Sequence, residues 1–197
     1  ELDPALPDLH PANLAGFHDF LGVVAGQRSE FAASVEHWVL SAQIGLQVGQ
    51  VRRTIVLYTN IGDSFNSLND HHSALDWMQR ALDMARDTGW PVTVGSCLMQ
   101  MGETLRRLGR LQAAQDMLSE ALSTLAPVAA SRSYAIALAY SGDLALDRHE
   151  WSAAYRTFCQ LHKRADALNH PEFQIMAMRG QAHALLQLQC PESALVA

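Results

Sequence analysis

Five arginines form two short clusters that could bind an anion. They are Arg52 and Arg53, and then Arg106, Arg107 and Arg110. A guanidinium group binds phosphate or a carboxylate through parallel N–H donors, so either cluster could hold a phosphorylated ligand or an acidic partner. Arginines near the end of a helix also complement its dipole while they stay solvated, and this second interpretation is the more common one. Both interpretations stay open at the level of the sequence.

Histidine spacing does not point to a metal site. His71 and His72 are adjacent in a predicted turn, His149 falls in another, and no two histidines are four residues apart. Zinc sites on helices use that spacing, so we expect no bound metal and no other cofactor. His183 lies four residues after Arg179 on one predicted helix face, where it could make binding depend on pH.

Motifs of covalent catalysis do not occur either. The sequence has no G-x-S-x-G elbow and no glycine-rich phosphate loop. Cys97, Cys159 and Cys190 form no C-x-x-C pair and carry no signature that links one of them to a histidine. Cys97 and Cys159 lie on predicted packed helices and Cys190 in a predicted turn. We therefore expect a chain that is not an enzyme, in a compartment that keeps thiols reduced.

Composition favours a folded helical chain. Of 197 residues, 49% are hydrophobic, 17% are charged and only 7% are aromatic. The net charge of −6 removes the general basic footprint of a nucleic-acid-binding domain. No apolar run reaches the roughly 18 to 20 residues that span a bilayer. We expect a cytoplasmic location, and a natural chain longer than this one, because the sequence begins at Glu1 without a signal peptide or an initiator methionine.

An internal period of about 40 residues organises these elements, a length typical of helical repeats. Small residues recur with this period at Gly22, Gly62, Gly102, Gly142 and Ala182. A second series of small residues lies twelve positions later, at Ser34, Ala74, Ala114, Ala154 and Ala194. Large apolar residues follow four positions on, at Trp38, Met78, Leu118 and Phe158, and a further series lies at Ser41, Ala81, Ala121 and Leu161. Several series in one register predict an internal repeat.

Each period is predicted to hold two helices joined by a turn. Tyr58, Ile61 and Phe65 recur at steps of three and four, which places them on one helix face. A glycine inside a helix costs roughly 0.5 to 1 kcal/mol against alanine, so it persists where a side chain would collide with a neighbour. We therefore expect the glycine of each period to mark the closest crossing of two antiparallel helices. The large apolar residue is expected to fill the groove to the next pair.

These residues resemble the tetratricopeptide repeat (TPR). The pattern is carried by Gly62 with Tyr58, Ile61 and Phe65, followed by Ala74, Met78 and Ala81, and it recurs at Gly102 and Gly142. The usual unit has about 34 residues. A longer unit, as in this sequence, is similar to the TPR regions of bacterial signalling proteins, which precede output domains such as diguanylate cyclase (GGDEF) domains. Departures are Ser34 and Ser41, where alanine is usual.

The resemblance implies an all-α, right-handed α-solenoid of about five antiparallel helical hairpins. Residues 1–12 would be an N-terminal extension and residues 13–197 a single array. Its units would cover about 15–54, 55–94, 95–134, 135–174 and an incomplete 175–197.

The resemblance also implies a function. The chain would be a non-catalytic protein- or peptide-binding module that regulates a larger bacterial signalling protein. Its alternatives are a scaffold that dimerises through the array ends, or the TPR region of a transcriptional regulator. In this family the first helices line the concave binding face, which by register gives Asn60, Asp63, Asn66, Met99, Gln100, Glu103, Arg106, Arg107, Tyr140, Asp143, Asp147, Arg179 and His183. The alternative for each is a solvated face with internal ion pairs.

Overall fold

The computed structural model describes residues 10–188, apart from the side chain of Leu168, and every regular element in that range is helical. The α-helices are α1 (Pro11–Gln27), α2 (Phe31–Gln47), α3 (Val51–Ser67), α4 (His71–Thr88), α5 (Pro91–Arg107), α6 (Leu111–Leu125), α7 (Arg132–Asp147), α8 (Trp151–Leu168) and α9 (Pro171–Gln187). A 3-10 turn, Ala126–Val128, follows α6. The predicted all-α class of helical hairpins is confirmed. Cys190 and Ala194 lie outside the described residues.

The chain divides into two compact halves at the junction of Trp90 and Pro91. In the N-terminal half, α1 to α4 pack in chain order, each against the next. In the C-terminal half, α5 to α9 do the same, and α7 also packs against both α5 and α9. The first helices of the hairpins start at residues 11, 51, 91, 132 and 171, three or four positions before the unit boundaries given above.

Left-handed residues end the helices in a regular series. They are Ser29, Gly49, Asn69, Gly89, Gly109, His149 and Asn169, spaced by half of the repeat period or, once, by the whole of it. The residue after most of them donates its N–H to a carbonyl five positions earlier, as Glu30 does to Ala25 at 2.9 Å and Arg110 to Leu105 at 2.9 Å. This is the Schellman arrangement that closes a helix. Such closures, at both helices of a hairpin, maintain the repeat period.

The glycine of each hairpin faces the large apolar residue of the same hairpin. A β-carbon at Gly62 would lie 2.8 Å from Met78 Cγ and 3.2 Å from the carbonyl oxygen of Ala74, and one at Gly102 would lie 2.6 Å from Leu118 Cγ. Gly22 with Trp38 and Gly142 with Phe158 repeat the contact at 2.5 and 2.6 Å. The predicted close crossing is confirmed. The large residue lies on its own glycine as well as toward the next pair, since Trp38 also packs with Leu57 and Ile61 of α3.

Phe158 also touches a glycine that lies outside the series. A β-carbon at Gly180 would come within 2.3 Å of Phe158 Cε2. The ring is therefore held between Gly142 on α7 and Gly180 on α9, and Phe158 is 1% exposed. Ala182, which continues the series in the sequence, is only half-buried. The absence of a side chain at position 180 lets α9 approach the preceding hairpin.

The first hairpin keeps the same register although serines replace its alanines. Ser34 and Ser41 are completely buried. Their hydroxyl groups donate to carbonyl oxygens of α1, Ser34 to Gly22 at 3.0 Å and Ser41 to Ala15 at 2.7 Å. Since a buried hydroxyl needs a partner, these bonds make serine compatible with the helix crossing.

No helix within residues 10–188 is long and apolar enough to cross a membrane.

Two stacked histidines of the N-terminal half are predicted to make its stability depend on pH. His18 on α1 and His37 on α2 have Nδ1 atoms 3.2 Å apart, and their ring centroids are separated by 5.5 Å. Burial, and then the charge on His37, lower the pKa of His18 below 6.5. The folded state therefore prefers neutral His18, and the unfolded state binds more protons just below pH 6.5.

We expect the free energy of unfolding to fall as the pH drops below about 6.5, with a slope from this group of at most about 1.4 kcal/mol per pH unit. Urea unfolding of the wild type and of His18→Gln between pH 5 and pH 8 measures the effect. The difference between the two curves should be flat above pH 7 and change below it. His72→Gln, at an exposed position in the first turn of α4, is the matched control. An unchanged difference across the range would contradict the prediction.

Candidate functional site

The predicted site residues of the N-terminal half lie on α3. Asn60 and Asp63 are half-buried. Asn66 is 9% exposed, and its Oδ1 lies 2.9 Å from His71 Nδ1 at the start of α4. Asn66 therefore joins the two helices of its hairpin, and we leave it out of a binding surface. The partner-binding role of Asn60 and Asp63 stays a prediction.

The C-terminal half places two predicted residues differently from the rest. Met99 is 3% exposed and belongs to the hydrophobic core, so it cannot contact a partner. Glu103 is also buried. Gln100 on α5 and Tyr140 on α7 are half-buried. The repeat register correctly places these residues on first helices, but it does not give the rotation of each side chain about the helix axis.

Five other predicted residues come together in one cavity between α5, α7 and α9. We call it the charged groove; it has a volume of about 310 Å³ and is lined by Arg106, Asp143, Leu146, Asp147, Arg179, Gly180 and His183. Its charged side chains come from the last turns of α5 and α7 and from the middle of α9. The contacts of α7 with both neighbouring first helices bring these residues together.

The arginines of α5 are paired with carboxylates. Glu103 accepts from Arg106 Nε at 2.8 Å, from Arg106 Nη2 at 3.0 Å and from Arg107 Nε at 2.8 Å. Arg106 also donates to Asp147. The hydrogen bond from Arg106 to Glu103 is the main reason that the pKa of Arg106 is raised. Arg106 and Arg107 therefore already have carboxylate partners, which argues against a phosphate site at these two, while the third member of the cluster, Arg110, lies at the N-cap of α6.

The arginines of α3 are occupied as well. Arg53 donates through Nη2 to Asp19 on α1 at 2.7 Å, and the same carboxylate accepts from Trp38 Nε1 at 3.2 Å. The guanidinium carbon of Arg52 lies 4.8 Å from the ring centroid of Trp90, a cation–π distance. Asp19 thus ties α1, α2 and α3 together, and Arg53 has a structural role.

Two charged groups of the groove form no hydrogen bond or ion pair within residues 10–188. Asp143 is half-buried, and its carboxylate accepts no hydrogen bond from any residue of that range. Burial raises the pKa of Asp143; the charges of Arg106 and Arg179 oppose that effect, and those of Glu103 and Asp147 add to it. Arg179 is exposed and forms no ion pair within the same range. The groove therefore offers one open acceptor and one open donor to a ligand.

An apolar region adjoins the charged groove and shares Arg106, Leu146, Asp147 and His183 with it. This region, the aromatic shelf, encloses about 610 Å³ and also includes Arg107, Gly109, Leu111, His149, Trp151 and Gln187. The ring of Trp151 lies 6.2 Å from that of His183 and 5.0 Å from that of His149, between centroids. The shelf thus adds a flat aromatic surface to the charges of the groove.

Sequence reasoning missed this shelf because it considered first helices only. Trp151 and Leu111 are the first residues of second helices, at equivalent positions one repeat period apart. That spacing was the signal that could have found them.

Catalytic and metal chemistry find no support in the described part of the chain. The Cys97 thiol is buried, and burial raises its pKa to about 12, which keeps it protonated at neutral pH. No three histidine, cysteine or carboxylate side chains between residues 10 and 188 come together as metal ligands.

A family model for the tetratricopeptide repeat matches residues 55–88. The match begins within α3 and ends at the last residue of α4, so it covers the hairpin built around Gly62 and Met78. Residues 55–88 are thus similar to a tetratricopeptide repeat. A search of the curated proteins finds no match to the sequence.

Solved structures of TPR-like proteins share the fold. The apo form of RapI is 14% identical with a TM-score of 0.81, over 92% of this chain and 65% of RapI. A second structure contains the TPR-like repeats of a Podospora anserina kinesin light chain, which are nearly identical to one another. Its sequence identity to this chain is 12% and the TM-score is 0.74, over 95% of this chain and 92% of that one.

The Rap conjugation gene regulator of plasmid pLS20, solved with the Phr* peptide, is 15% identical with a TM-score of 0.76, over 91% of this chain and 50% of that one. At these identities the likeness is one of fold, an α-solenoid of TPR type. The chain spans less than two thirds of the length of either Rap protein.

The charged groove is lined by equivalent helices of three consecutive hairpins. The helices α5, α7 and α9 are the first helices of consecutive TPR-like hairpins in the C-terminal half. Trp151 comes from the second helix α8 and extends the groove beyond these three. Leu111 of α6 also lines the shelf, so the two regions together involve five helices.

Proposed function

We propose that this chain is a non-catalytic, peptide-binding TPR module that regulates a larger bacterial signalling protein in the cytoplasm. The observation that carries the proposal is the charged groove, where Asp143 and Arg179 have no hydrogen-bond partners in the described chain beside an aromatic shelf. Extended peptides bind such surfaces through side-chain pockets and charge-assisted hydrogen bonds.

The fold supports a peptide rather than a small metabolite as ligand. The Rap regulator of pLS20, which has the same fold, was solved with the Phr* peptide. The groove and the shelf together form an open site along several helices, which suits a chain of several residues. A peptide that bridges α5, α7 and α9 would change the spacing of these helices, because each hairpin of a solenoid contacts mainly its neighbours. That change would reach an attached output domain, such as a diguanylate cyclase.

A selection of random nonapeptides displayed on phage against residues 1–197 tests the proposal. Peptides that survive selection are made synthetically and measured by fluorescence anisotropy. We expect binding to weaken about tenfold or more in Arg179→Ala and in Trp151→Ala, which each remove a ligand contact. Arg28→Ala, at an exposed position in the other half, is the matched control and should bind as the wild type does.

Two results would contradict the proposal. One is a selection that retains no peptide. The other is a set of peptides that bind Arg179→Ala and Trp151→Ala as tightly as the wild type, which would place binding elsewhere. Light scattering over a dilution series, with and without peptide, separates peptide capture from a scaffold that dimerises through the array ends.

A further inference from the structure

The ion pairs of the groove leave one carboxylate, that of Asp143, without a hydrogen bond or an ion pair in residues 10–188, although Arg106 and Arg179 lie near enough to attract it. Glu103 is bonded to both Arg106 and Arg107, and Arg106 is bonded in addition to Asp147. Arg179 lines the same cavity as Asp143 but is not within ion-pair distance of it. Asp143 is thus partly removed from water without a hydrogen-bond donor in the described chain. Burying a charge without a partner costs free energy, and a donor brought by a ligand would recover it.

The surroundings of Asp143 fit the shape of a long cationic side chain or of a chain end. The charged groove has a volume of about 310 Å³, and Leu146 lines it together with Asp143. An aliphatic stem can cover that leucine while its charged end reaches Asp143. His183 lines both the charged groove and the aromatic shelf, and the ring of Trp151 lies 6.2 Å from its ring. The two rings offer an aromatic surface to a flat cation or to the next residue of the peptide. Arg106 and Arg179 line the same groove and oppose added positive charge, so a cation is favoured only where it meets the Asp143 carboxylate directly.

From this geometry we infer that Asp143 binds one cationic group of the peptide, a guanidinium or an ammonium, and so selects the peptides that the groove accepts. The inference rests on the proposed function, since it names the chemistry of the ligand at that site. The ammonium can come from a lysine side chain or from a free N-terminus, and the experiment separates these sources.

The test uses peptides selected on the wild type and three modified forms of each. Arginine is replaced by citrulline, lysine is acetylated, and the N-terminus is acetylated, each removing one positive charge with little change of shape. We expect one of these changes to weaken binding to the wild type about tenfold or more, as measured by anisotropy. The modified form that shows the loss identifies the source of the cation.

Asp143→Asn provides the decisive comparison. In this variant the unmodified peptide should bind about tenfold more weakly, and neutralising its cation should then have almost no further effect, because the two groups act as a pair. Asp143→Glu should keep the preference for the cation. Asp116→Asn, on the exposed side of α6, is the control and should behave as the wild type does. Far-ultraviolet circular dichroism and the melting temperature establish that each variant is folded.

The outcomes separate the inference from the proposed function. Suppose that peptides bind and that Arg179→Ala lowers their affinity. If neutralising the cation then lowers the affinity for Asp143→Asn and for the wild type by the same factor, the inference is overturned and the proposed function stands. If Asp143→Asn and the wild type bind all peptides equally well, the inference is overturned in the same way. If no peptide is retained at all, both are overturned.

Discussion

Replacing Phe158 with alanine is expected to lower the free energy of unfolding of the C-terminal half by about 3 to 5 kcal/mol. The side chain is 1% exposed and fills the space between Gly142 and Gly180, so its removal leaves a cavity between α7, α8 and α9. Urea unfolding followed by circular dichroism measures the loss. Gln160→Ala, on the exposed side of the same helix, is the control and should change the value by less than about 0.5 kcal/mol. A loss below about 1 kcal/mol for Phe158→Ala would contradict the packing described.

The effect of Gly180→Ala on the free energy of unfolding should change sign with the residue at position 158, which the effect of an ordinary core substitution would not do. In the wild type, Gly180→Ala places a β-carbon about 2.3 Å from the ring of Phe158 and should destabilise, since the cost of overpacking exceeds the helix propensity gained. In the Phe158→Ala background the clash is gone, and Gly180→Ala should stabilise by up to about 1 kcal/mol. Gly180→Ala that stabilises both backgrounds equally would mean that α9 does not lie against Phe158.

The repeat period predicted the hairpins and the glycine crossings because both depend on small side chains at fixed spacing. It could not predict which neighbour a large side chain faces, since side-chain direction depends on rotamer and helix rotation. Phe158 therefore proved to lie on Gly142 of its own hairpin as well as on Gly180 of the next. Gly180 is outside the glycine series, although Trp38 makes a comparable contact with Leu57 and Ile61 of the next hairpin.

The candidate site was predictable to a similar degree. Position on a first helix was enough to propose Arg106, Asp143 and Arg179, which line one groove. It also proposed Met99 and Asn66, which are buried, because a repeat register does not distinguish the outer face from the flank that packs against the next helix. The ion pairs that neutralise Arg106 and leave Asp143 open depend on distances between helices, which no spacing within the sequence specifies.

Replacing Glu103 with alanine is expected to lower the free energy of unfolding by about 3 kcal/mol. The Glu103 side chain is 6% exposed and its two oxygens accept three hydrogen bonds from Arg106 and Arg107. Without it, the Arg106 guanidinium, 20% exposed, keeps only Asp147 as a partner within the described chain. Arg107→Ala is the matched control: its side chain is 46% exposed, so removing that ion pair should cost less than about 1 kcal/mol.

A second variant separates the loss of a favourable pair from the cost of an unpaired charge. Glu103→Leu combined with Arg106→Leu removes both groups and fills their volume, so it should recover most of the stability lost in Glu103→Ala. Failure of the double variant to recover would mean that Glu103 acts through other contacts. Glu103→Ala should also create what the wild type lacks, two arginines without their shared carboxylate, and so bind inorganic phosphate more tightly than the wild type in a titration. Equal phosphate binding would mean that Glu103 does not control the charge of the groove. The net charge beside the groove therefore depends on a buried glutamate that is paired with both arginines.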